Sequence, residues 1–489
     1  MASSAKAAGL RAAVARGGVV NALFLSGAEA LVLLQGLLAT ALLGPQAIGL
    51  YGVVTTTAMT IVALRRVGID EAYVQQEAEH EEAEFQRAFT VELAIGLVAA
   101  LLIAVLAPVL AAAYDDDRLL ALTLAVAYLP VAFSLQAPQW IFFRRMEYLR
   151  LRALQAVVPL VTVGVTVPLL LAGVGVWSLV IGPFCGNAAA VVAAQRASPY
   201  RLRLRPDREA ARRYLRFSWP IFATALATLF VAQGQIAVFG ISDGLAAAGW
   251  MTLAATLARY ADRADQILAT TIYPAIVRVR DRIAVLEELF AKSNRLALMW
   301  ALPFGVGLAL FGADLIDFVL GDDWAPAAVL VGGLAVATAL QQLGYNWFAF
   351  YRARGSSWPQ AVESAAFAGA FAALALPGAL AWGTWGFVAG RLATTGCVLA
   401  VRRVYVRRLL PGVSLLALAA RAAAPVLIAT VPVLALRLAL WGGERPLVQA
   451  LAELVLWLGL LAAATLRLER PLLAELRGYL RGRTEPVPA

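Results

Sequence analysis

The chain has 489 residues, of which 61% are hydrophobic and 15% charged, and its mean hydropathy is +0.76. Soluble domains are about 45–50% apolar and about 25% charged, so this composition excludes a soluble protein. The net charge of +10 also suits nucleic-acid binding. Arginines between apolar segments are what orients a membrane protein, so no nucleic-acid partner is predicted.

About fourteen apolar segments follow one another along the chain, each near the roughly 20 residues that a transmembrane helix requires. They are 18–43, 47–65, 88–112, 119–142, 153–173, 176–195, 217–240, 248–273, 294–313, 326–350, 361–381, 384–401, 414–440 and 447–466. The first exceeds the 7–15-residue apolar region of a signal peptide and is therefore interpreted as an uncleaved span. The sequence predicts an all-α polytopic membrane protein with about 14 transmembrane helices.

Basic residues concentrate in alternate loops between these spans. The opposite loops carry mainly acidic residues, such as the aspartates at 115–117. Cytoplasmic loops of membrane proteins are enriched in Lys and Arg, so both termini are predicted to be cytoplasmic. Together with the arginine- and alanine-rich composition, this predicts a multi-pass protein of the bacterial inner membrane. The basic loop residues include Arg65, Arg66, Arg144, Arg145, Arg278, Arg280, Arg352, Arg354, Arg407 and Arg408.

An internal repeat divides the chain. Span six opens with GVWSLVIG (175–182) and span twelve with GTWGFVAG (383–390), which share the pattern G-x-W-x-x-V-x-G. Duplicated halves are typical of secondary transporters; chance similarity between glycine-rich apolar segments is the alternative. The repeat predicts an N-terminal lobe at 1–205, a second lobe at 206–412, and a C-terminal helix pair with a basic tail at 413–489.

Span eight (248–273) carries charges near its middle. At 100° per residue its polar residues form one stripe, with Asp262 at its edge. One charge at the bilayer centre costs about 2.5–3.5 kcal/mol, so this face is predicted to avoid lipid. Either Arg–Asp pairs join helices, or Arg259 and Arg263 bind an anion, because guanidinium groups bind phosphate bidentately. The stripe consists of Thr252, Thr256, Arg259, Arg263, Gln266 and Thr270.

Isolated polar residues in other spans are weaker signals, and helix–helix hydrogen bonds account for most of them. They are Glu29, Gln35, Gln233, Gln235, Gln341, Gln342, Asn346, Glu363 and Glu453. From its shallow position in span twelve, Arg391 is expected to snorkel to the outer interface. With one histidine, His80, and two distant cysteines, Cys185 and Cys397, no metal site or cofactor is predicted.

Several stretches together resemble the Wzx-like oligosaccharide flippases of bacterial surface polysaccharide synthesis, including the O-antigen flippases. That family belongs to the superfamily of multidrug, oligosaccharidyl-lipid and polysaccharide exporters. The resemblance covers roughly residues 20–410 and implies two six-helix lobes around a central cavity, working by alternating access. The stretches are LGPQAIGLYGVV (43–54), GIDEAYVQ (68–75), FFRRMEYLRLRAL (142–154), GVGVWSLVIG (173–182), YLRFSWP (214–220) and TIYPAIVRVRD (271–281).

The resemblance implies transport of a polyprenyl-pyrophosphate-linked oligosaccharide, without enzymatic chemistry. It implies membrane lipids as partners, together with the polysaccharide polymerase and chain-length machinery. Relatives often carry an aspartate near Gln235, which puts ion coupling at that position in doubt. The predicted substrate-binding residues are Arg259, Arg263, Arg65, Arg66, Gln266 and Gln35. The candidate ion-coupling residues are Glu29, Asp262, Asp265 and Glu363.

Two other functions are compatible with a polytopic chain. A cation-coupled multidrug exporter shares the implied fold, but a net-cationic cavity suits cationic drugs poorly. A polysaccharide polymerase or ligase needs a catalytic constellation, typically in a sizeable outer loop, and the outer loops here are short.

Overall fold

The computed structural model describes residues 2–65, 69–70, 73, 80–145, 147–263, 276, 279, 281–354, 356, 358–440 and 445–480. Within these ranges the chain is helical and contains no β-strand. The all-α prediction is therefore confirmed. The helices pack as two compact units, residues 1–252 and 253–489. The lobe boundaries expected from the repeat, after residues 205 and 412, stay a prediction.

In the described residues of the first unit, eight α-helices are complete and a ninth begins. The helices are α1 (Ala2–Arg65), α2 (Glu81–Tyr114), α3 (Arg118–Val126), α4 (Leu129–Leu135), α5 (Gln139–Arg144), α6 (Tyr148–Leu171), α7 (Ser178–Ala197), α8 (Arg208–Ser242) and α9 (Leu245–Ala258). A buried cluster around Tyr73, Phe85 and Ile141 holds the start of α2 against α5.

The second unit begins within α9, which continues as a 3₁₀ turn (Arg259–Asp262). The α-helices described from residue 283 onwards are α10 (Ile283–Leu315), α11 (Ala327–Gln341), α12 (Trp347–Ala353), α13 (Trp358–Ala370), α14 (Leu376–Leu409), α15 (Leu415–Leu440), α16 (Leu447–Leu468) and α17 (Arg470–Leu480). Two π-helical segments, Ile316–Leu320 and Phe371–Ala375, interrupt the regular α-helical hydrogen bonding.

In the described part of the chain, nine helical segments are long and apolar enough to cross a membrane. Several of the predicted spans are joined end to end. Spans one and two form α1, which breaks at Gly44 (φ 74°), and spans eleven and twelve are continuous through a break at Gly383 (φ 59°). A positive φ favours glycine because it lacks a Cβ, so these residues end one span and begin the next.

Described helices lie at the position of every predicted span. Turns interrupt spans four and ten, and span eight is described as far as residue 263. The protein is a multi-pass membrane protein. In lipid, every backbone polar group must be bonded internally, which accounts for the helical architecture.

Hydrogen bonds between helices involve several of the isolated polar residues, as expected. Gln233 Nε2 donates to Thr60 Oγ1 at 2.5 Å, and Gln341 Nε2 donates to Thr395 Oγ1 at 3.1 Å. Glu453 accepts hydrogen bonds from two arginines. These contacts join helices and indicate a structural role for these side chains.

Candidate functional site: a basic face beside an apolar cavity

The charged part of span eight has one buried and one accessible side. Ala258 and Ala261 are 3% and 1% exposed, whereas Arg259 is exposed and Arg263 half-buried. Ala261 belongs to a buried cluster with residues of α10, α11 and α15, including Leu298, Ala339 and Val426. This packing fixes the 3₁₀ turn on the side of Ala261, whereas Arg259 stays exposed.

Arg259, in this turn, forms no ion pair with Asp262 in the structure. Among the described residues, no carboxylate forms an ion pair with Arg259, and Asp262 Oδ1 is enclosed without a hydrogen-bond partner. The guanidinium of Arg263 lies 5.4 Å from the centre of the Tyr260 ring. The described residues therefore show no Arg259–Asp262 pair, and anion binding by Arg259 and Arg263 stays a prediction.

An aromatic cluster, formed by Tyr260, Trp300 and Phe304, supports the turn. Trp300 Nε1 donates a hydrogen bond to the Tyr260 carbonyl oxygen at 2.8 Å. The Trp300 and Phe304 rings stack with centroids 5.7 Å apart, and Phe304 lies 6.4 Å from Tyr260. Arg259 and Arg263 together are called the basic face. Because Arg263 lies against the same Tyr260 ring, the aromatic cluster positions this part of the basic face.

The aromatic cluster also forms part of the wall of an apolar cavity of about 870 Å³. Its walls come from α10 and α16, with Leu473 of α17, and include Trp300, Phe304, Phe311, Leu454 and Leu461. Asp314 is the charged residue among the lining side chains. The basic face and the apolar cavity are thus connected through side chains in contact.

Asp314 belongs to an ion-pair network that joins α10, α15 and α16. Arg445 donates to Asp314 at 2.8 Å and to Glu453 at 2.6 Å, and Arg437 Nε donates to Glu453 at 3.0 Å. Arg437 also donates to the Leu310 carbonyl oxygen at 3.1 Å. Each charge in this network lies against an opposite charge, so we assign the network to helix packing rather than to ligand binding.

The other predicted site residues are dispersed. Gln35 is half-buried on α1, and its Oε1 is enclosed without a hydrogen-bond partner. Glu363 accepts hydrogen bonds from Arg402 at 3.2 and 2.7 Å. Arg66, Asp265 and Gln266 lie outside the described residues, as do the side chains of Glu29 and Arg65.

In the loop at 115–117, Asp116 forms an ion pair with Arg118. Asp116 accepts hydrogen bonds from Arg118 Nε at 3.0 Å and from Nη2 at 2.6 Å. These bonds hold the pKa of the Asp116 carboxyl below its usual value. Within the described ranges, no group of three His, Cys, Asp or Glu residues is placed to hold a metal ion.

Sequence reasoning missed the aromatic cluster and the cavity. Trp300, Phe304 and Phe311 recur at helical spacing along span nine, but an aromatic row in an apolar helix is compatible with any buried face. The intervals of four and seven residues place the rings on one side of the helix. Only the packing of α16 shows that this side borders a cavity.

Comparisons with known proteins identify a matching family and solved structures of similar fold. The model of a family described as "Polysaccharide biosynthesis protein" matches residues 38–329, more than half of the chain. The lipid II flippase MurJ in an inward closed conformation matches with a TM-score of 0.71 at 12% identity, covering 92% of this chain and 99% of that chain.

Two further solved structures share the fold. An inward-facing multidrug resistance MATE family transporter of the MOP superfamily matches with a TM-score of 0.62 at 15% identity, over 78% of this chain and 96% of that one. A MOP superfamily transporter from Pyrococcus furiosus matches with a TM-score of 0.52 at 15% identity, over 80% and 96%. No curated protein sequence matches the chain.

At these identities structural likeness defines the fold alone, and it is the fold of the multi-pass transporters of the MOP superfamily. The sequence match is more specific. The chain belongs to the polysaccharide biosynthesis protein family, which confirms the resemblance seen in its motifs.

Proposed function

We propose that the protein is a flippase that moves a polyprenyl-pyrophosphate-linked oligosaccharide across the bacterial inner membrane by alternating access, for surface polysaccharide export. The family match supports a role in polysaccharide biosynthesis. The structure with a TM-score of 0.71 is that of a lipid II flippase, and the other two neighbours described above are transporters. We infer transport rather than catalysis from these likenesses.

The observation that carries this proposal is the contact between the basic face and the apolar cavity. Arg259 is exposed, with no carboxylate partner among the described residues, and the aromatic cluster links Arg263 to the cavity. A lipid-linked pyrophosphate has the matching two parts. Its anionic phosphates suit guanidinium donors, and its isoprenoid chain suits an apolar surface.

In this mechanism Arg259 and Arg263 bind the pyrophosphate, and part of the polyprenyl chain lies along the cavity. Gln35 and Gln266 contribute polar contacts, while Arg65 and Arg66 attract the headgroup at the cytoplasmic side. The charge asymmetry of the loops supports the cytoplasmic placement of both termini. Substrate is then supplied and consumed by the glycan-assembly machinery, including a polymerase.

Among the candidate ion-coupling residues we favour Asp262. Its Oδ1 is enclosed without a hydrogen-bond partner, so a proton or sodium ion there would satisfy an unpaired acceptor. Glu363 already binds the Arg402 guanidinium through both oxygens. Glu29 and Asp265 remain candidates from the sequence.

Reconstituted flipping tests the proposal. Purified protein is placed in liposomes with a fluorescent polyprenyl-pyrophosphate oligosaccharide, and a membrane-impermeant quencher reports translocated label. Charge-assisted hydrogen bonds contribute about 1.5–3 kcal/mol each. The Arg259→Ala/Arg263→Ala variant is therefore expected to flip at least about 100-fold more slowly than wild type.

The matched control is Arg403→Ala/Arg407→Ala, which removes two exposed arginines at the same four-residue spacing from the end of α14. It is expected to flip at the wild-type rate. Equal rates in wild type and both variants would reject the basic face as the pyrophosphate site. No flipping by wild type, with a substrate that its own pathway makes, would reject the flippase and favour a drug exporter or an enzyme.

A further inference from the structure

Helix α14 carries two arginines that are equally buried but differ in their hydrogen-bond acceptors and counter-charges. Arg391 and Arg402 are each 6% exposed. Arg402 binds both carboxylate oxygens of Glu363, at 3.2 and 2.7 Å. It also donates to the carbonyl oxygens of Gln341 and Leu343, each at 2.6 Å. Arg402 therefore has a counter-charge and four acceptors.

Arg391 has neither. Its Nε and Nη1 atoms are enclosed without a hydrogen-bond partner, and no carboxylate in the described part of the chain forms an ion pair with it. The expectation that Arg391 snorkels to the interface is wrong, because packing of α13 against α14 encloses the side chain. Its guanidinium carbon lies 5.2 Å from the centre of the Phe367 ring and 6.0 Å from that of Phe371.

The surroundings of Arg391 are irregular as well as apolar. Phe371 begins the π-helical segment Phe371–Ala375. A Cβ added to Gly390, next to Arg391, would overlap the carbonyl oxygen of Leu374 in that segment. π-Helical segments within α-helices occur frequently at functional sites, and this one contacts the helix at the position of the unpaired guanidinium.

An unpaired buried guanidinium requires an acceptor that the described side chains do not provide. Arginine keeps its proton in proteins, so it cannot become neutral. Aromatic faces attract a cation but do not replace hydrogen-bond acceptors for enclosed N–H groups. Four other arginines in the described part of the second unit each bind a carboxylate: Arg295, Arg402, Arg437 and Arg445.

We propose that Arg391 binds a small monovalent inorganic anion, such as chloride, inside the second unit. The anion accepts hydrogen bonds from Nε and Nη1 and neutralises the guanidinium between α13 and α14. A halide is favoured over phosphate because dehydrating a dianion costs far more. Phosphate would also need further hydrogen-bond donors, which the Phe367 and Phe371 rings do not provide. This site is separate from the exposed basic face at Arg259 and is independent of the transported substrate.

The test measures the thermal unfolding midpoint, Tm, of purified full-length protein at constant sodium, with chloride replacing gluconate. Binding to the folded state stabilises it in proportion to the logarithm of ligand concentration above Kd. The wild-type Tm is expected to rise by on the order of 2 °C for each tenfold increase in chloride above Kd. The Arg391→Met variant is expected to show no such rise.

The matched control is Arg402→Met on the same helix. This variant is expected to unfold at a lower temperature and still to respond to chloride, because its site at Arg391 is intact. A wild-type Tm that changes with chloride no more than that of Arg391→Met overturns the proposal. A chloride response lost equally in Arg402→Met also overturns it, since the response would then not report Arg391.

A second measurement applies if Arg391→Met does not fold. Crystals of the wild-type protein soaked in bromide are examined for anomalous scattering. A peak in contact with the Arg391 guanidinium supports the proposal. Well-ordered density at Arg391 without a bromide peak overturns it and assigns the acceptor role to water.

Discussion

Replacement of Arg402 by leucine tests how the second unit is held together. Helix α11 ends at Gln341, and Arg402 donates to the carbonyl oxygens of Gln341 and Leu343, where regular helical bonding stops. In the same non-helical segment after Gln341, Asn294 Oδ1 accepts a hydrogen bond from the backbone N–H of Gly344 at 2.5 Å. Arg402→Leu would therefore strand the Glu363 carboxylate and leave two carbonyl groups without their donor.

The structure sets the magnitude. Removing one partner of a buried ion pair costs about 3–5 kcal/mol, and each lost hydrogen bond adds about 1 kcal/mol. Because members of one network do not add fully, we expect Arg402→Leu to lower the free energy of unfolding by about 5 kcal/mol. The Glu363→Leu/Arg402→Leu double variant has no stranded charge, and we expect it to lose only about 2 kcal/mol.

The assay is equilibrium unfolding by SDS in mixed micelles, followed by tryptophan fluorescence. The wild type, both single variants and the double variant form a double-mutant cycle. Arg403→Leu, an exposed neighbour, serves as the control and should change stability by no more than about 0.5 kcal/mol. A double variant no more stable than Arg402→Leu would refute the reasoning, because the cost would then lie outside the ion pair.

Three further changes test other contacts. Trp300→Phe retains an aromatic ring but removes the hydrogen bond to the Tyr260 carbonyl, so unfolding free energy should fall by about 1 kcal/mol, measurable by SDS titration, and flipping should slow. Glu469→Gln takes the counter-charge from Arg295, and the free energy of unfolding measured by SDS titration should fall by about 3 kcal/mol. The pKa of Asp116 is depressed in the folded protein, so its stabilisation is present above the unfolded pKa of about 4 and is lost as pH falls through the folded value. Asp116→Asn should flatten the acid limb of stability measured by Tm against pH; an unchanged limb would contradict this assignment.

The sequence predicted the candidate site as far as helical periodicity reaches. A spacing of four and three residues placed Thr256, Arg259 and Arg263 on one face, because successive residues of an α-helix turn by a fixed angle. The 3₁₀ turn at Arg259–Asp262 was not predicted, and neither was the missing Arg259–Asp262 pair. Both depend on how Ala261 packs against α10 and α11, which no local pattern contains.

The two buried arginines of α14 illustrate the limit further. Arg391 and Arg402 both lie in or next to one apolar span, and the shallow position of Arg391 in that span suggested an interfacial role for it. The structure encloses both, since α13 packs across α14. Whether a charged side chain meets water, a carboxylate or two phenyl rings is decided by the neighbouring helix.

The sequence by itself determined the all-α membrane class and the family, and it predicted the spans that the described helices occupy, because hydropathy, charge asymmetry and ordered motifs are properties of consecutive residues. Only the tertiary structure decided which polar groups pair, where the apolar cavity lies beside the basic face, and which buried arginine among the described residues is left without a counter-charge. Those features require contacts between α10, α14 and α16 and their neighbours, which are far apart in the chain. Their energies depend on distance and burial, and these exist only once the helices have packed.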